Sequence, residues 1–176
     1  MTPPPEVIAA AQAAQRKWGV PACISIAQWA LESGWGAHTP SGSNNPFGYK
    51  ATHSQPFVTA RTREVVNGQS VYISAPFRKF DTLADAFDCH GQLLATGSAY
   101  AGARAAVGYA AYANALTGHY ATDPKYGALL IQIIQGSGLE RYDVMTALPP
   151  QTQAFAKPPV AAPFRDIASK TVEFDV

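Results

Sequence analysis

Asn67-Gly68 stands between two β-prone runs, Arg61 to Val66 and Gln69 to Ser74, and an Asn-Gly link between such runs is the strongest short-range hairpin signal. It confines strand formation to one place. On either side the apolar residues recur at helical spacing, so the chain reads as helix, helix, loop, hairpin, three helices and a tail. The fold class expected is α+β, mostly helical, with a small β-hairpin lobe. A tight turn places Thr62, Glu64, Val66, Gln69, Val71 and Ile73 on one face, and Arg61, Arg63, Val65, Ser70 and Tyr72 on the other. Glu64 therefore shares a face with aliphatic side chains. A carboxylate there needs a partner or a task, which leaves an ion pair with a nearby arginine and a catalytic role both open.

A first helix is expected over Pro5 to Lys17, followed by the turn Trp18-Gly19-Val20-Pro21. Pro21 suits the start of a second helix, in which Ile24, Ala27 and Leu31 repeat until Gly34 and Gly36 end it. Glu32 falls in its last turn, between Trp29 and Trp35 in sequence. There the negative end of the helix dipole and the neighbouring indoles both favour a protonated carboxyl group. A glutamate that keeps its proton near neutrality is what glycosidic-bond cleavage needs as general acid, and an ordinary solvated glutamate is the alternative.

Beyond the turn-rich stretch Thr39 to Pro46 and the hairpin, Asp81 or Thr82 caps a helix carrying Leu83, Phe87 and Leu94. One alanine-rich helix is expected from Ala99 to Leu116, and Asp123-Pro124 reads as N-cap and first residue of a last helix closing near Gly136 and Gly138. The domain is expected to span 1–147, with its β-lobe at about 50–80, and residues 148–176 read as a Pro-rich tail.

Of the 176 residues 47% are hydrophobic, enough for one cored domain. A net charge of +1 argues against nucleic acid or an anionic membrane as partner. Arg61, Arg63, Arg78 and Lys79 read as a solvated strand face. The sequence beginning Met1-Thr2-Pro3-Pro4-Pro5-Glu6 lacks the features of a signal peptide, and no apolar run reaches membrane-span length. The expectation is cytoplasmic synthesis without a signal peptide. Cys23 and Cys89 are too few for a disulfide framework and read as free thiols, and the four histidines have no metal-ligand spacing. Neither a metal nor a cofactor is expected.

Six segments, in collinear order, carry a resemblance. They are Ala27 to Gly36 (Ala-Gln-Trp-Ala-Leu-Glu-Ser-Gly-Trp-Gly), Asn44 to Lys50, Thr62 to Gly68, Phe77 to Leu83, Tyr120 to Tyr126 and Gly138 to Asp143. Together they resemble the peptidoglycan β-N-acetylglucosaminidases of glycoside hydrolase family 73, which include flagellar rod-penetrating domains and several autolysins. The resemblance implies a lysozyme-like fold with a glycan cleft between its lobes. It makes Glu32 the general acid and Glu64 the second carboxylate, a base in some accounts and dispensable where the substrate's N-acetyl group assists. Tyr120 matches the tyrosine before Ala-Thr-Asp-Pro. Trp35, Phe47 and Tyr49 become candidates for stacking on sugars, and Asn45 and Asp123 for polar contact with substrate. Phe47 as core and Asn45 as a turn former remain open.

The implied reaction is hydrolysis of the β-1,4 bond between N-acetylglucosamine and N-acetylmuramic acid, with peptidoglycan strands as partner and the cell wall, periplasmic or extracellular, as place of action. A lytic transglycosylase or muramidase is the alternative chemistry, although the Gly-Leu-Met-Gln segment usual after Glu-Ser there is missing. A non-catalytic peptidoglycan-binding protein is the alternative class. Without a signal, release by a holin, as for a phage or prophage endolysin, or delivery by secretion machinery, as for an antibacterial effector with an immunity protein, are the expected routes.

Overall fold

The computed structural model describes residues 1–52, 54–66 and 69–144. Six α-helices and one hairpin follow in order: α1 Pro5–Trp18, α2 Ala22–Ser33, β1 Phe57–Val66, β2 Gln69–Arg78, α3 Leu83–Thr96, α4 Ala101–Ala105, α5 Tyr109–Leu116 and α6 Tyr126–Ser137, with short 3₁₀ turns at Ser98–Tyr100 and Leu139–Tyr142. α2 is the centre. Residues Ala22 to Ala30 are all buried, as expected of a helix apolar nearly all round, and α1, α3, α5 and α6 surround it. α1 and α3 approach closely at Gly91, where an added Cβ would lie 2.7 Å from the Trp18 ring.

The hairpin is antiparallel with Val66 opposite Gln69 and Phe57 opposite Arg78, the register a two-residue link requires. Both strands run further at the base than the sequence pattern suggests, because the chain before the hairpin extends the pairing. Lys50 bridges to Phe77, the Ala51 N–H donates to Pro76 O at 3.0 Å, and the Arg78 N–H to Tyr49 O at 2.8 Å. Pro76 is tolerated because a two-stranded sheet has only edges. Ala75 and Phe77, on the Glu64 face of the ladder, are buried at the base. Arg61 lies over the Tyr72 ring and Arg78 over Phe80.

Two helix boundaries differ from expectation. The alanine-rich segment is not one helix: Gly108, at φ +81°, turns the chain between α4 and α5. The last helix begins at Tyr126, because Asp123 folds back on itself, its Oδ1 accepting from the Lys125 N–H at 2.8 Å in an Asx-type turn ahead of the helix. Thr82, rather than Asp81, caps α3, in a reciprocal capping box with Asp85. Cys23 and Cys89 are both free. Burial, reinforced by the Asp143 carboxylate, pushes the Cys23 thiol far up and leaves it unreactive.

α2 starts at Pro21, which offers no side-chain cap, so the far end of the described chain supplies one. Asp143 Oδ1 accepts from the buried Cys23 N–H at 2.7 Å. Gln15 Oε1 accepts from Ala22 N and Val144 N, and Gln12 Nε2 donates to Tyr142 O. These bonds close the described part of the domain at Val144, and the tail expected over 148–176 lies outside the described residues.

Asp143→Ala removes the acceptor and the negative charge at this helix start. Stability should fall by about 1–2 kcal/mol in urea unfolding, while Asp143→Asn, which keeps an acceptor, should lose clearly less.

Candidate active site

Gly34 at φ +55° ends α2, and Trp35 follows at φ +60°, an uncommon conformation for a non-glycine residue. Ser33 secures the turn, its hydroxyl donating to Trp29 O at 2.6 Å and accepting from the Gly36 N–H at 2.8 Å. Trp35 is thereby set edge-on to Trp29, ring centroids 5.8 Å apart at 87°, half-buried beside the helix end. Glu32 sits in that last turn, half-buried, and Tyr126 at the start of α6 donates its hydroxyl to Glu32 Oε1 at 3.0 Å.

Behind this pair lies a buried polar chain. Gln28, one turn before Glu32, donates from Nε2 to Tyr126 Oη at 3.0 Å; its Oε1 faces His90 Nε2 at 2.9 Å, and His90 Nδ1 faces Tyr49 Oη at 2.8 Å. Gln28, His90 and Tyr49 are at most 2% exposed. Burial lowers the His90 pKa from the usual 6.5 to about 3, so the ring is neutral. An amide oxygen only accepts, so His90 Nε2 carries the proton, Nδ1 is bare, and Tyr49 donates to it. The Phe47 ring stacks on the imidazole at 4.0 Å and 2°. Tyr120 is buried, stacked on Tyr126 at 5.7 Å and 21°, with its hydroxyl interacting with that of Tyr49. Burial pushes the hydroxyls of Tyr49, Tyr120 and Tyr126 up, with the Glu32 carboxylate adding to the effect on each.

Glu32 and the half-buried Trp35 thus lie at one end of α2, and Tyr120 is joined to Glu32 through Tyr126, on which it stacks. Glu64 is opposite Val71 on the hairpin, on the same face of the ladder as the buried Ala75 and Phe77. Asp123 is exposed, its carboxylate engaged in the turn before α6. Three of the residues named from sequence as substrate contacts are interior instead. Asn45 is fully buried, its Nδ2 donating to Tyr49 O and Arg78 O at 2.8 Å each and its Oδ1 accepting from the Tyr49 N–H at 3.0 Å. Phe47 and Tyr49 are each 2% exposed, packed around His90. They hold the loop that anchors the hairpin and offer no face to a sugar. Tyr126, Gln28 and His90 were not singled out from sequence as site residues. The available signal was Gln28, a polar residue in an apolar helix one turn from Glu32. Among the described residues no cluster of metal-ligating side chains occurs.

The family model described as mannosyl-glycoprotein endo-beta-N-acetylglucosaminidase, the glucosaminidase family, matches residues 8–139. The chain belongs to this family. The glucosaminidase domain is 37% identical over 140 residues to the exo-glucosaminidase LytG of Bacillus subtilis, a match covering 76% of this chain and 50% of that protein. It is 40% identical over 129 residues to the "Probable N-acetylmuramidase" of Lactococcus lactis subsp. lactis, covering 68% and 29%. The catalytic domain of the autolysin Auto from Listeria monocytogenes matches with a TM-score of 0.73 at 28% identity, covering 81% of this chain and 90% of that one. The chain spans half or less of the length of these two curated relatives. The mostly helical body with one small sheet is the lysozyme-like fold of these glycoside hydrolases.

Asn45→Ala leaves the buried Tyr49 N–H without its acceptor. It should cost about 2 kcal/mol of stability, with KM for a glycan substrate unchanged in the folded fraction; a raised KM at full stability would restore Asn45 to the substrate. His90 gives a second expectation. The unfolded chain takes up a proton near pH 6.5 where the folded one does not until about pH 3. Stability is therefore complete above about pH 6.5 and drops toward pH 3, by about 1.4 kcal/mol per pH unit from this residue. Urea unfolding at pH 7 and pH 5 measures it.

Proposed function

We propose that this glucosaminidase domain is a peptidoglycan hydrolase that cleaves the β-1,4 bond between N-acetylglucosamine and N-acetylmuramic acid, with Glu32 as general acid. The observation that carries this reading is Glu32 itself, half-buried at the end of the central helix with its Oε1 bonded to Tyr126, in a chain of this family. Glu32 gives its proton to the leaving oxygen as the bond to the anomeric carbon breaks. Water attacks that carbon, its proton passing to Glu64 if that carboxylate is the base; otherwise the substrate's acetamido oxygen attacks first and water follows. Tyr120 is the third member of the proposed constellation; buried and stacked on Tyr126, it would steady charge near the reacting ring from behind Tyr126 rather than by touching the sugar. Trp35 and Asp123, neither of them buried, are the substrate contacts retained in this reading.

One observation keeps a second reading in view: the Lactococcus relative is named an N-acetylmuramidase, and the bond on the other side of N-acetylmuramic acid calls for the same acid. The place of action proposed is the cell wall, and no helix among the described residues is long and apolar enough to cross a membrane. An endolysin released by a holin and an effector countered by an immunity protein are the two biological settings proposed, and the neighbouring genes distinguish them.

Glu32→Gln keeps shape and removes the proton. Hydrolysis of purified peptidoglycan should drop by at least ~10²-fold with thermal stability retained; clearing at near wild-type rate would remove Glu32 from this role. Mass spectrometry of the products should show reducing N-acetylglucosamine ends. Reducing muramic ends would favour the muramidase reading, and anhydro-muramyl ends a transglycosylase. An inverted first-formed anomer with an inactive Glu64→Gln makes Glu64 the base, and a retained anomer with an active Glu64→Gln makes the acetamido group the nucleophile.

A further inference from the structure

The geometry points to Tyr126 as the positioning residue of the general acid, with Gln28 and His90 setting the direction of its hydroxyl so that the proton Glu32 delivers resides on Oε2. The inference rests on Glu32 being the acid, as proposed above.

A carboxylic acid has one accepting and one donating oxygen, and only the latter serves the leaving group. Which oxygen does which is decided here by hydrogen bonds that substrate does not touch. Neutral His90 donates from Nε2 to Gln28 Oε1, which fixes the amide and turns its Nε2 toward Tyr126. The Tyr126 oxygen accepts that N–H at 3.0 Å, and its own proton goes to Glu32 Oε1 at 3.0 Å. Oε1 is then the accepting oxygen in the acid form, and Oε2 carries the proton. At the other end Tyr49 donates to the bare His90 Nδ1, so each link has one donor and one acceptor and no link can turn alone.

The same bond changes strength during the reaction. Before transfer Tyr126 donates to the carbonyl oxygen of a neutral acid; as the proton leaves, it donates to a carboxylate, and hydrogen bonds to charged acceptors are about twice as strong as neutral ones. An interaction that grows toward the transition state raises kcat and leaves substrate binding alone. The buried scaffold makes this orientation rigid: Tyr126 is stacked on Tyr120, Phe47 on His90, and Gln28 lies inside the central helix.

The test is a double-mutant cycle on peptidoglycan hydrolysis with Tyr126→Phe, which keeps the ring and its stacking. The expected result is a kcat of the folded protein lower by roughly 10- to 100-fold at unchanged KM, with Tm lowered because Gln28 Nε2 loses its acceptor, and with no further loss of kcat when Tyr126→Phe is added to the residual activity of Glu32→Gln. A merely structural role would lower Tm while leaving kcat of the folded protein intact, or would add its loss of kcat in both backgrounds. A fully active Tyr126→Phe beside an inactive Glu32→Gln overturns the positioning role and leaves the acid in place. A fully active Glu32→Gln overturns the acid reading and this inference with it. ¹⁵N NMR of the wild-type protein tests the direction of the chain independently of any variant. His90 should be the neutral Nε2–H form between about pH 5 and 8; the Nδ1–H form would reverse every link and overturn the assignment of the proton to Oε2.

Discussion

A helix enclosed on every side must bring its polar groups into the interior already partnered, and α2 depends on this at Gln28. An unpaired amide there would cost several kcal/mol, comparable to a good part of a small domain's net stability. Both ends of that amide are used, one by His90 from α3 and one by Tyr126 from α6. The link does more than satisfy a side chain. It ties the two helices flanking α2 to each other through it, and it ends at the carboxylate at the mouth of the helix, so the requirement that stabilises the core also orients Glu32.

The same economy recurs at the two places where distant segments meet. Asp143 supplies the cap that Pro21 cannot, which joins the end of the described chain to the start of the central helix. Asn45 binds the Tyr49 and Arg78 carbonyls and the Tyr49 N–H, which joins the loop after α2 to the end of β2. In both cases one short polar side chain, buried or nearly so, does what a long apolar interface does elsewhere. Phe47 and Tyr49 then pack the loop onto His90, so the anchor of the β-lobe and the polar chain behind Glu32 share residues.

Much of this was legible in the sequence, and the reasons for the rest are local. Asn67-Gly68 and the alternation around it fix the register from Glu64–Val71 down to the base, since a slip by one residue would turn Ala75 and Phe77 out of the core. Glu32 was placed by the glycines that end α2. The break between α4 and α5 was missed because alanine keeps a helical pattern looking continuous, whereas Gly108 adopts a conformation that only the folded chain requires. Asn45, Phe47 and Tyr49 were read as substrate contacts because polar and aromatic residues in a loop beside a cleft have that chemistry; burial, which sequence does not show, turned them inward. Gln28, His90 and Tyr126 lie 62 and 98 residues apart as bonded pairs, and no local pattern records such a meeting.

The two proposed carboxylates are held by different kinds of structure. Glu32 is fixed from within the helical body before any glycan arrives. Glu64 stands four residues beyond Ala60, the partner of the buried Ala75, or about 13 Å along the strand. Between them Tyr72, Ile73 and Ser74 are exposed, so that part of the ribbon is held by its own ladder rather than by packing on the helices. A two-stranded ribbon alone is marginal in water. In the proposed reaction the acid's position is therefore a property of the resting fold, whereas any service by Glu64 would depend on how the ribbon meets the substrate.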